Sequence, residues 1–217
     1  MVEPIELALK SEEQVRLARL QDVVVQVLFE LDQKLVMHGG TAIWRCYNGN
    51  RFSEDIDLYA SDKAIESLVN QLPWQQTKRG LRLDYPKYSD SNREFYLSNE
   101  FSKVKVQVQK PVKGLKAIQM PYKKADGTNF VINTISVNDF IFEKITAYES
   151  RYYIRDLYDI YHMVIGYPIN SKSKTGLKKF LRRIKEPKEA NSLKEFVYVG
   201  NAPSFDEMIK AIKWRLE

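Results

Sequence analysis

The chain has few of the residues that stabilise small secreted proteins or bind transition metals. Its 217 residues include one cysteine, Cys46, and two histidines, His38 and His162. A single cysteine excludes an internal disulfide and a cysteine-rich zinc site, and two histidines argue against a histidine-based metal site. No apolar run is as long as a membrane span, and the first ten residues lack a signal-peptide pattern, which predicts a cytoplasmic protein.

The charged residues are distributed unevenly along the chain. The formal net charge is +6, and residues 1–170 contain equal numbers of basic and acidic side chains, 22 of each. Residues 171–217 contain 12 basic and 6 acidic side chains, which accounts for the whole excess. A basic C-terminal segment indicates a polyanionic partner, with nucleic acid as the first candidate. A lysine-rich surface that only contacts solvent is the alternative.

Two adjacent glycines, Gly39 and Gly40, lie between a predicted strand at 34–37 and a predicted helix that ends at Tyr47. At such a turn, free backbone N–H groups and the positive end of the helix dipole face any bound anion. Gly39, Gly40 and Thr41 are therefore candidates for binding the phosphates of a nucleotide. A glycine pair by itself more often marks only a turn.

Two acidic residues follow soon afterwards in a predicted strand at 55–59. Asp55 and Asp57 alternate with Ile56 and Leu58, so both carboxylates share one face of the strand while the apolar side chains enter the core. Mg²⁺ prefers oxygen ligands of this kind together with substrate phosphates, and Mn²⁺ accepts the same donors. Solvated acids at a strand end are the alternative. The two motifs in this order favour a site for phosphoryl or nucleotidyl transfer.

The predicted elements indicate an α+β protein. Residues 1–135 are predicted to form a catalytic lobe, which consists of strands with one early helix. Two hairpins are predicted in this lobe, one from 74–78 and 81–85 and the other from 94–97 and 103–109. Residues 136–217 are predicted to form a helical C-terminal lobe that completes the site, with helices at 137–151, 154–165, 174–184 and 204–216.

Three stretches together resemble a known protein family. They are Gly39-Gly40-Thr41-Ala42, then Arg-Phe-Ser-Glu-Asp-Ile-Asp-Leu at 51–58, and Arg-Asp-Leu-Tyr-Asp-Ile-Tyr at 155–161. They resemble the AbiEii/AbiGii toxins of type IV toxin–antitoxin and phage-abortive systems, over about residues 35–161. The resemblance implies the nucleotidyltransferase fold of the DNA polymerase β-like superfamily, with a mixed sheet and flanking helices. It also implies a nucleoside triphosphate (NTP) substrate, an RNA acceptor such as a tRNA 3′ end, and a separately encoded antitoxin.

The resemblance assigns roles to residues that spacing alone leaves open. It implies that Lys144 reaches the nucleotide phosphates, whereas spacing alone favours an exposed lysine paired with Glu143. It also implies that the helix at 155–161 supplies an acid to the site, to orient or deprotonate the acceptor hydroxyl. We favour Asp159 for this role, with Asp156 as the second candidate, because Asp156 can equally be a structural acid in the first helical turn.

Arg51 and Ser53 immediately precede the acidic strand. Arg51 is predicted either to hold a phosphate through its forked guanidinium or to brace Asp55 or Asp57, and Ser53 is a candidate phosphate ligand or cap.

One position departs from the pattern of the wider superfamily, which places a third carboxylate on a neighbouring strand. The aligned residue here is Gln107, whose amide cannot act as a general base. This departure puts a full two-metal site in doubt. The sequence therefore predicts a magnesium-dependent nucleotidyltransferase, with two alternatives: a non-catalytic nucleotide-binding regulator, or a phosphotransferase that acts on a protein.

Overall fold

The computed structural model describes residues 3–84 and 93–217, which form two compact units. The first unit contains the residues up to 48 together with 52–135, and the second contains 49–51 together with 136–217. The short segment that carries Arg51 therefore belongs to the helical second unit, although in the sequence it precedes most strands of the sheet.

A mixed sheet forms the centre of the first unit. In the part of the chain that the structure describes it has seven strands, in the order β3-β4-β5-β2-β1-β7-β6. β2 runs antiparallel to β1 and parallel to β5, and β1 runs parallel to β7. This confirms the predicted α+β class with a mixed sheet. The strands are β1 (Val36–His38), β2 (Ile56–Tyr59), β3 (Arg82–Asp84), β4 (Arg93–Ser98), β5 (Lys103–Gln109), β6 (Ile118–Lys123) and β7 (Asn129–Thr134).

Within the described residues of the first unit, three α-helices accompany the sheet: α1 (Glu12–Leu31), α2 (Gly39–Cys46) and α3 (Asp62–Arg79). The Ser11 side chain caps α1 by accepting a hydrogen bond from the Gln14 N–H. The predicted strand at 74–78 is wrong, because α3 continues through Pro73 and ends at Gly80 in the left-handed region, with φ of 65°. A proline inside a helix removes a hydrogen bond, which is why the sequence pattern ended the helix too early.

Strand β6 has no clear signal in the sequence because it contains Pro121. Proline cannot donate to a strand ladder and is therefore confined to sheet edges and bulges. β6 is indeed the last strand of the sheet and pairs only with β7 among the described strands. The tertiary position of the strand accommodates the proline.

The second unit is helical. Its helices are α4 (Val137–Arg151), α5 (Ile154–Gly166), α6 (Ser171–Arg183), α7 (Leu193–Phe196) and α8 (Phe205–Arg215). Side-chain caps begin three of them, from Ser136, Asn170 and Ser204. None of the helices in the described part of the chain is long and apolar enough to cross a membrane.

A buried ion pair lies in the core of the first unit. The Arg45 guanidinium is 3.3 Å from the Asp22 carboxylate and lies over the Trp44 ring, and both charged side chains are buried. Asp22 also accepts hydrogen bonds from the Tyr122 hydroxyl and the Ala125 N–H. The pair therefore ties α1 to α2 and to the end of β6.

Replacing Arg45 with methionine should lower the free energy of unfolding by about 3–5 kcal/mol, because it leaves the Asp22 charge buried without its cation. Urea unfolding followed by circular dichroism measures this loss. Arg16→Met is the matched control, since Arg16 forms an exposed pair with Glu12 and should cost under about 1 kcal/mol. Equal losses of unfolding free energy in the two variants would show that the buried pair stabilises the fold no more than the exposed pair does.

Candidate functional site

The acidic strand β2 lies inside the sheet, between β1 and β5. Ile56 and Leu58 are fully buried while Asp57 is half-buried, which confirms the predicted alternation. The strand begins at Ile56, so Asp55 lies one residue before it and is also half-buried. In the sheet, Asp57 is in register with His38 of β1 and with Gln107 of β5.

The first glycine of the pair makes room for Asp57. Gly39 has a φ of 73°, and a Cβ added to it would lie 2.0 Å from Asp57 Oδ2. Any side chain at this position would therefore collide with the carboxylate, and the backbone conformation itself favours glycine. The Asp57 carboxylate consequently lies against the N-terminal end of α2, where the helix dipole stabilises negative charge.

Two buried polar side chains hold the segment that precedes β2. The Thr41 hydroxyl donates a hydrogen bond to the Asp55 carbonyl oxygen, and Thr41 is fully buried. The Gln21 amide donates to the carbonyl oxygens of Ser53 and Glu54, at 2.9 Å each. The Thr41 hydroxyl thus positions Asp55, and the group of Thr41 that can bind a phosphate is its backbone N–H. The sequence did not indicate that Gln21 holds this segment, because Gln21 lies in α1, 32 positions before Ser53.

A lysine approaches the acids from strand β5. Lys105 Nζ is 3.1 Å from Asp55 Oδ2. Partial burial lowers the pKa of Lys105, but the hydrogen bond and the charge of Asp55 outweigh it, so the pKa is raised overall. Lys105 was not among the predicted site residues, although the alternation of Lys105 and Gln107 with buried valines places both on one face of β5.

The acid pair offers the ligands that a hard divalent cation requires. Asp55 and Asp57 supply carboxylate oxygens, and Mg²⁺ is commonly held by one or two carboxylates together with substrate phosphates. Within residues 3–84 and 93–217 there is no group of three or more histidine, cysteine, aspartate or glutamate side chains that could hold a metal ion. The donor set therefore fits a cation that the nucleotide brings with it better than one held by the protein alone.

The remaining candidate residues form a buried charge cluster in the second unit. Arg51 donates from Nε to Asp159 Oδ1 and from Nη2 to Asp159 Oδ2, both at 2.6 Å. The sequence predicted that the Arg51 guanidinium contacts a phosphate or one of the acids of the pair. In the structure it makes its forked contact with Asp159 instead. Burial lowers the pKa of Arg51, and the Asp159 charge outweighs this effect and raises it.

Lys144 belongs to the same cluster and is buried, which contradicts the alternative of an exposed lysine. Its Nζ lies 2.9 Å from Asp159 Oδ2 and 3.7 Å from Asp156 Oδ1. Burial alone would raise the pKa of Asp159, but Arg51 and Lys144 outweigh it and hold this pKa at about 2. Asp159 is therefore ionised at neutral pH and binds two cations.

Asp156 is fully buried and is held by Arg151, whose guanidinium donates at 2.7 and 2.8 Å to its two carboxylate oxygens. The cluster therefore contains three cations, Arg51, Lys144 and Arg151, and two carboxylates. The charge of the neighbouring Glu143 also acts on Lys144, so the cations and carboxylates of this region are close to balance.

Comparison with known proteins identifies the family. The model of the family described as "Nucleotidyl transferase AbiEii toxin, Type IV TA system" matches residues 23–213. The fold is similar to that of MenT4, nucleotidyltransferase toxin Rv2826c from Mycobacterium tuberculosis H37Rv, with a TM-score of 0.65 and 18% sequence identity over 96% of this chain and 85% of that one. It is also similar to JHP933 from Helicobacter pylori, with a TM-score of 0.64 and 17% identity over 95% and 91% of the two chains. No curated protein matches the chain.

Proposed function

Because the chain belongs to the AbiEii family and is a nucleotidyltransferase, we propose that it transfers a nucleotide from an NTP to the hydroxyl of an RNA acceptor, such as a tRNA 3′ end. Membership of this toxin–antitoxin family implies an NTP substrate and a cognate antitoxin. The observation that carries the proposal is the placement of Asp57, whose carboxylate lies against Gly39 at the start of α2.

In this proposal the backbone of Gly39, Gly40 and Thr41 binds phosphates, and Asp55 and Asp57 hold Mg²⁺ or Mn²⁺. The bound ion would supply positive charge at the α-phosphate. For Asp55 to do so, its carboxylate must share or release the Lys105 ammonium, which lies 3.1 Å away. Lys105 then remains as a cation for the triphosphate, a role that the sequence alone did not suggest.

Lys144 is proposed to offset the charge of the leaving pyrophosphate, as the family resemblance implies. Its ammonium is held by Asp159 Oδ2 at 2.9 Å, and Arg51 binds both carboxylate oxygens of Asp159. A cation fixed in advance loses little conformational freedom when it meets a developing charge. Asp159 and Asp156 therefore act in this proposal by positioning Lys144, with Arg51 and Arg151 bracing the two carboxylates. Ser53 keeps its second-tier role as a phosphate contact.

Isotope labelling tests the reaction. The purified protein is incubated with total RNA and with each NTP, labelled either at the α- or at the γ-phosphate. Transfer of the α-label to RNA, abolished in Asp57→Asn, is the expected result. Transfer of the γ-label alone, with protein as the labelled product, would instead show a phosphotransferase. Nucleotide binding without movement of either label would show a regulator.

Helix α6 is the surface that we propose contacts the RNA backbone. Leu177 and Phe180 are buried, whereas the basic side chains of the helix point outward. A cationic stripe of this kind binds phosphates without reading bases. The exposed basic residues of the helix are Lys172, Lys174, Lys178, Lys179, Arg182 and Arg183.

Reversing Lys174, Lys178, Lys179 and Arg182 to glutamate should weaken RNA binding and flatten its salt dependence, by up to about one unit of log–log slope for each phosphate that the helix no longer neutralises. Arg183 is left unchanged because it donates two hydrogen bonds to Glu149. Filter binding over a series of salt concentrations measures the effect, and NTP affinity should be unchanged. An unaltered RNA affinity and salt slope would exclude α6 as the RNA surface and leave an antitoxin-binding or solvent-facing role.

A further inference from the structure

Three polar side chains form a row across the sheet. Asp57 of β2 is in register with Gln107 of β5, and Gln107 is in register with Glu94 of β4. Residues paired in register project from the same face of a sheet. The other face of these strands carries the buried side chains of Phe95, Val106 and their neighbours. Glu94 is thus a carboxylate on the same face as Asp57, one strand beyond the position where the superfamily carries its third acid.

Hydrogen bonds orient the Glu94 carboxylate. Gln107 Nε2 donates to Glu94 Oε2 at 3.1 Å, and the Tyr96 hydroxyl donates to Glu94 Oε1 at 3.1 Å. The charge of Glu94 also contributes to the raised pKa of Lys105, on the same face of the sheet. Gln107, at the position of the third acid, is uncharged, but its amide has a role of its own: it binds the carboxylate of Glu94, the next residue along the row.

The other candidates for the base that deprotonates the acceptor hydroxyl are poorly suited to the role. Gln107 is an amide, which does not accept a proton near neutral pH. Asp159 is buried, binds two cations and has a pKa of about 2, which makes it a weak base. Asp55 and Asp57 are the proposed metal ligands. Glu94 is a half-buried carboxylate on the same face as these ligands.

We propose that Glu94 is the general base of the transfer reaction, an inference that rests on the proposed function. The oxygen of the acceptor hydroxyl attacks the α-phosphorus and forms a new P–O bond, and its proton passes to the Glu94 carboxylate. The bond between the α-phosphorus and the bridging oxygen breaks, and that oxygen leaves with the pyrophosphate. Two strand spacings separate Glu94 from Asp57, roughly 10 Å, with Gln107 on the strand between them, so the phosphoryl group and the attacking hydroxyl would lie above the Gln107 side chain on this face of the sheet.

Glu94→Gln tests the proposal because it removes the proton acceptor and keeps the shape of the side chain. The rate of transfer from the α-labelled NTP should fall by about 10²- to 10⁴-fold, the range expected for loss of a general base. The affinity for NTP with Mn²⁺, measured by calorimetry, should stay within about twofold, and the melting temperature should be unchanged.

A double variant, Glu94→Gln with Gln107→Asp, provides a rescue. The exchange keeps an amide next to a carboxylate, so the hydrogen bond between the two positions can form with its direction reversed. It also returns a carboxylate to the position beside Asp57, so the rate should recover at least tenfold over Glu94→Gln and Mn²⁺ should bind more tightly. Asp84→Asn is the control, because Asp84 is an exposed acid on the neighbouring strand β3 and is paired with Lys103.

The outcomes separate this proposal from the proposed function. If the wild type transfers no nucleotide to RNA, the proposed function fails. If the wild type transfers nucleotide and Glu94→Gln does so at the same rate, the function stands and Glu94 is not the base. A loss of rate that is matched by a loss of melting temperature or of NTP affinity would also overturn the proposal in favour of a structural Glu94.

Discussion

Replacing Asp57 with asparagine should abolish measurable nucleotide transfer. The proposed site holds its cation through Asp55 and Asp57, and an amide binds Mg²⁺ far more weakly than a carboxylate does. Loss of the several kcal/mol that a metal contributes to transition-state stabilisation corresponds to a fall of about 10³-fold or more in rate. The metal-dependent part of the NTP affinity should disappear as well. Calorimetry with and without Mg²⁺, together with transfer of the α-label, measures the two effects.

The fold should survive this change. Asparagine has the shape of aspartate, so the close approach to Gly39 is preserved, and the repulsion between the two acids is reduced. The lost interaction of the charge with the start of α2 and the reduced repulsion oppose each other, so the melting temperature without metal should change little. Asp62→Asn is a matched control, because Asp62 lies in the first turn of α3 and pairs with Lys110 at the surface. A large loss of stability in metal-free Asp57→Asn would show that Asp57 is structural.

Replacing Asp159 with asparagine should destabilise the second unit by about 3–5 kcal/mol, because Arg51 and Lys144 would remain buried without their shared anion. The distance from Asp159 to each cation is below 3 Å, and all three side chains are buried. Urea unfolding measures the loss. Glu149→Gln is the control in the same unit, since its pair with Arg183 is exposed and should contribute under about 1 kcal/mol. Similar losses in the two variants would contradict the assignment of Asp159 as the centre of the cluster.

The stability that Asp159 contributes should depend on pH in the acid range. Its pKa is about 2 in the folded protein, below the ordinary 3.8 of an aspartate. A lowered pKa means that the contribution is fully present above pH 4 and is lost as the pH falls from about 4 to about 2, by about 2 kcal/mol in total. The difference in unfolding free energy between the wild type and Asp159→Asn should therefore shrink over this range. A difference that is constant from pH 5 to pH 2 would show that the Asp159 carboxylate does not titrate with the cluster.

The sequence by itself was sufficient for features that depend on local patterns. The bounds of α4 were predicted from apolar residues at helical spacing, and the Ser136 side chain, which accepts from the Asp139 N–H, caps the start of the helix. The alternation of Ile56 and Leu58 with acids likewise predicts which side chains of β2 enter the core. These features depend on residues within a few positions of one another, so their periodicity and their capping hydrogen bonds are visible along the chain.

The tertiary structure decided the features that depend on residues far apart in sequence. Arg51 stands four residues before Asp55, yet its forked contact is with Asp159, 108 positions away. Pro121 is compatible with a strand only because β6 is at the sheet edge, and Gly39 is required because Asp57 lies against it. Gln107 stands where the superfamily has its third carboxylate, and Glu94 lies beside it only because β4 pairs with β5. Periodicity predicts the face on which a side chain lies, whereas sheet register and burial decide its neighbour, and these neighbours set the charge and the chemistry of the site.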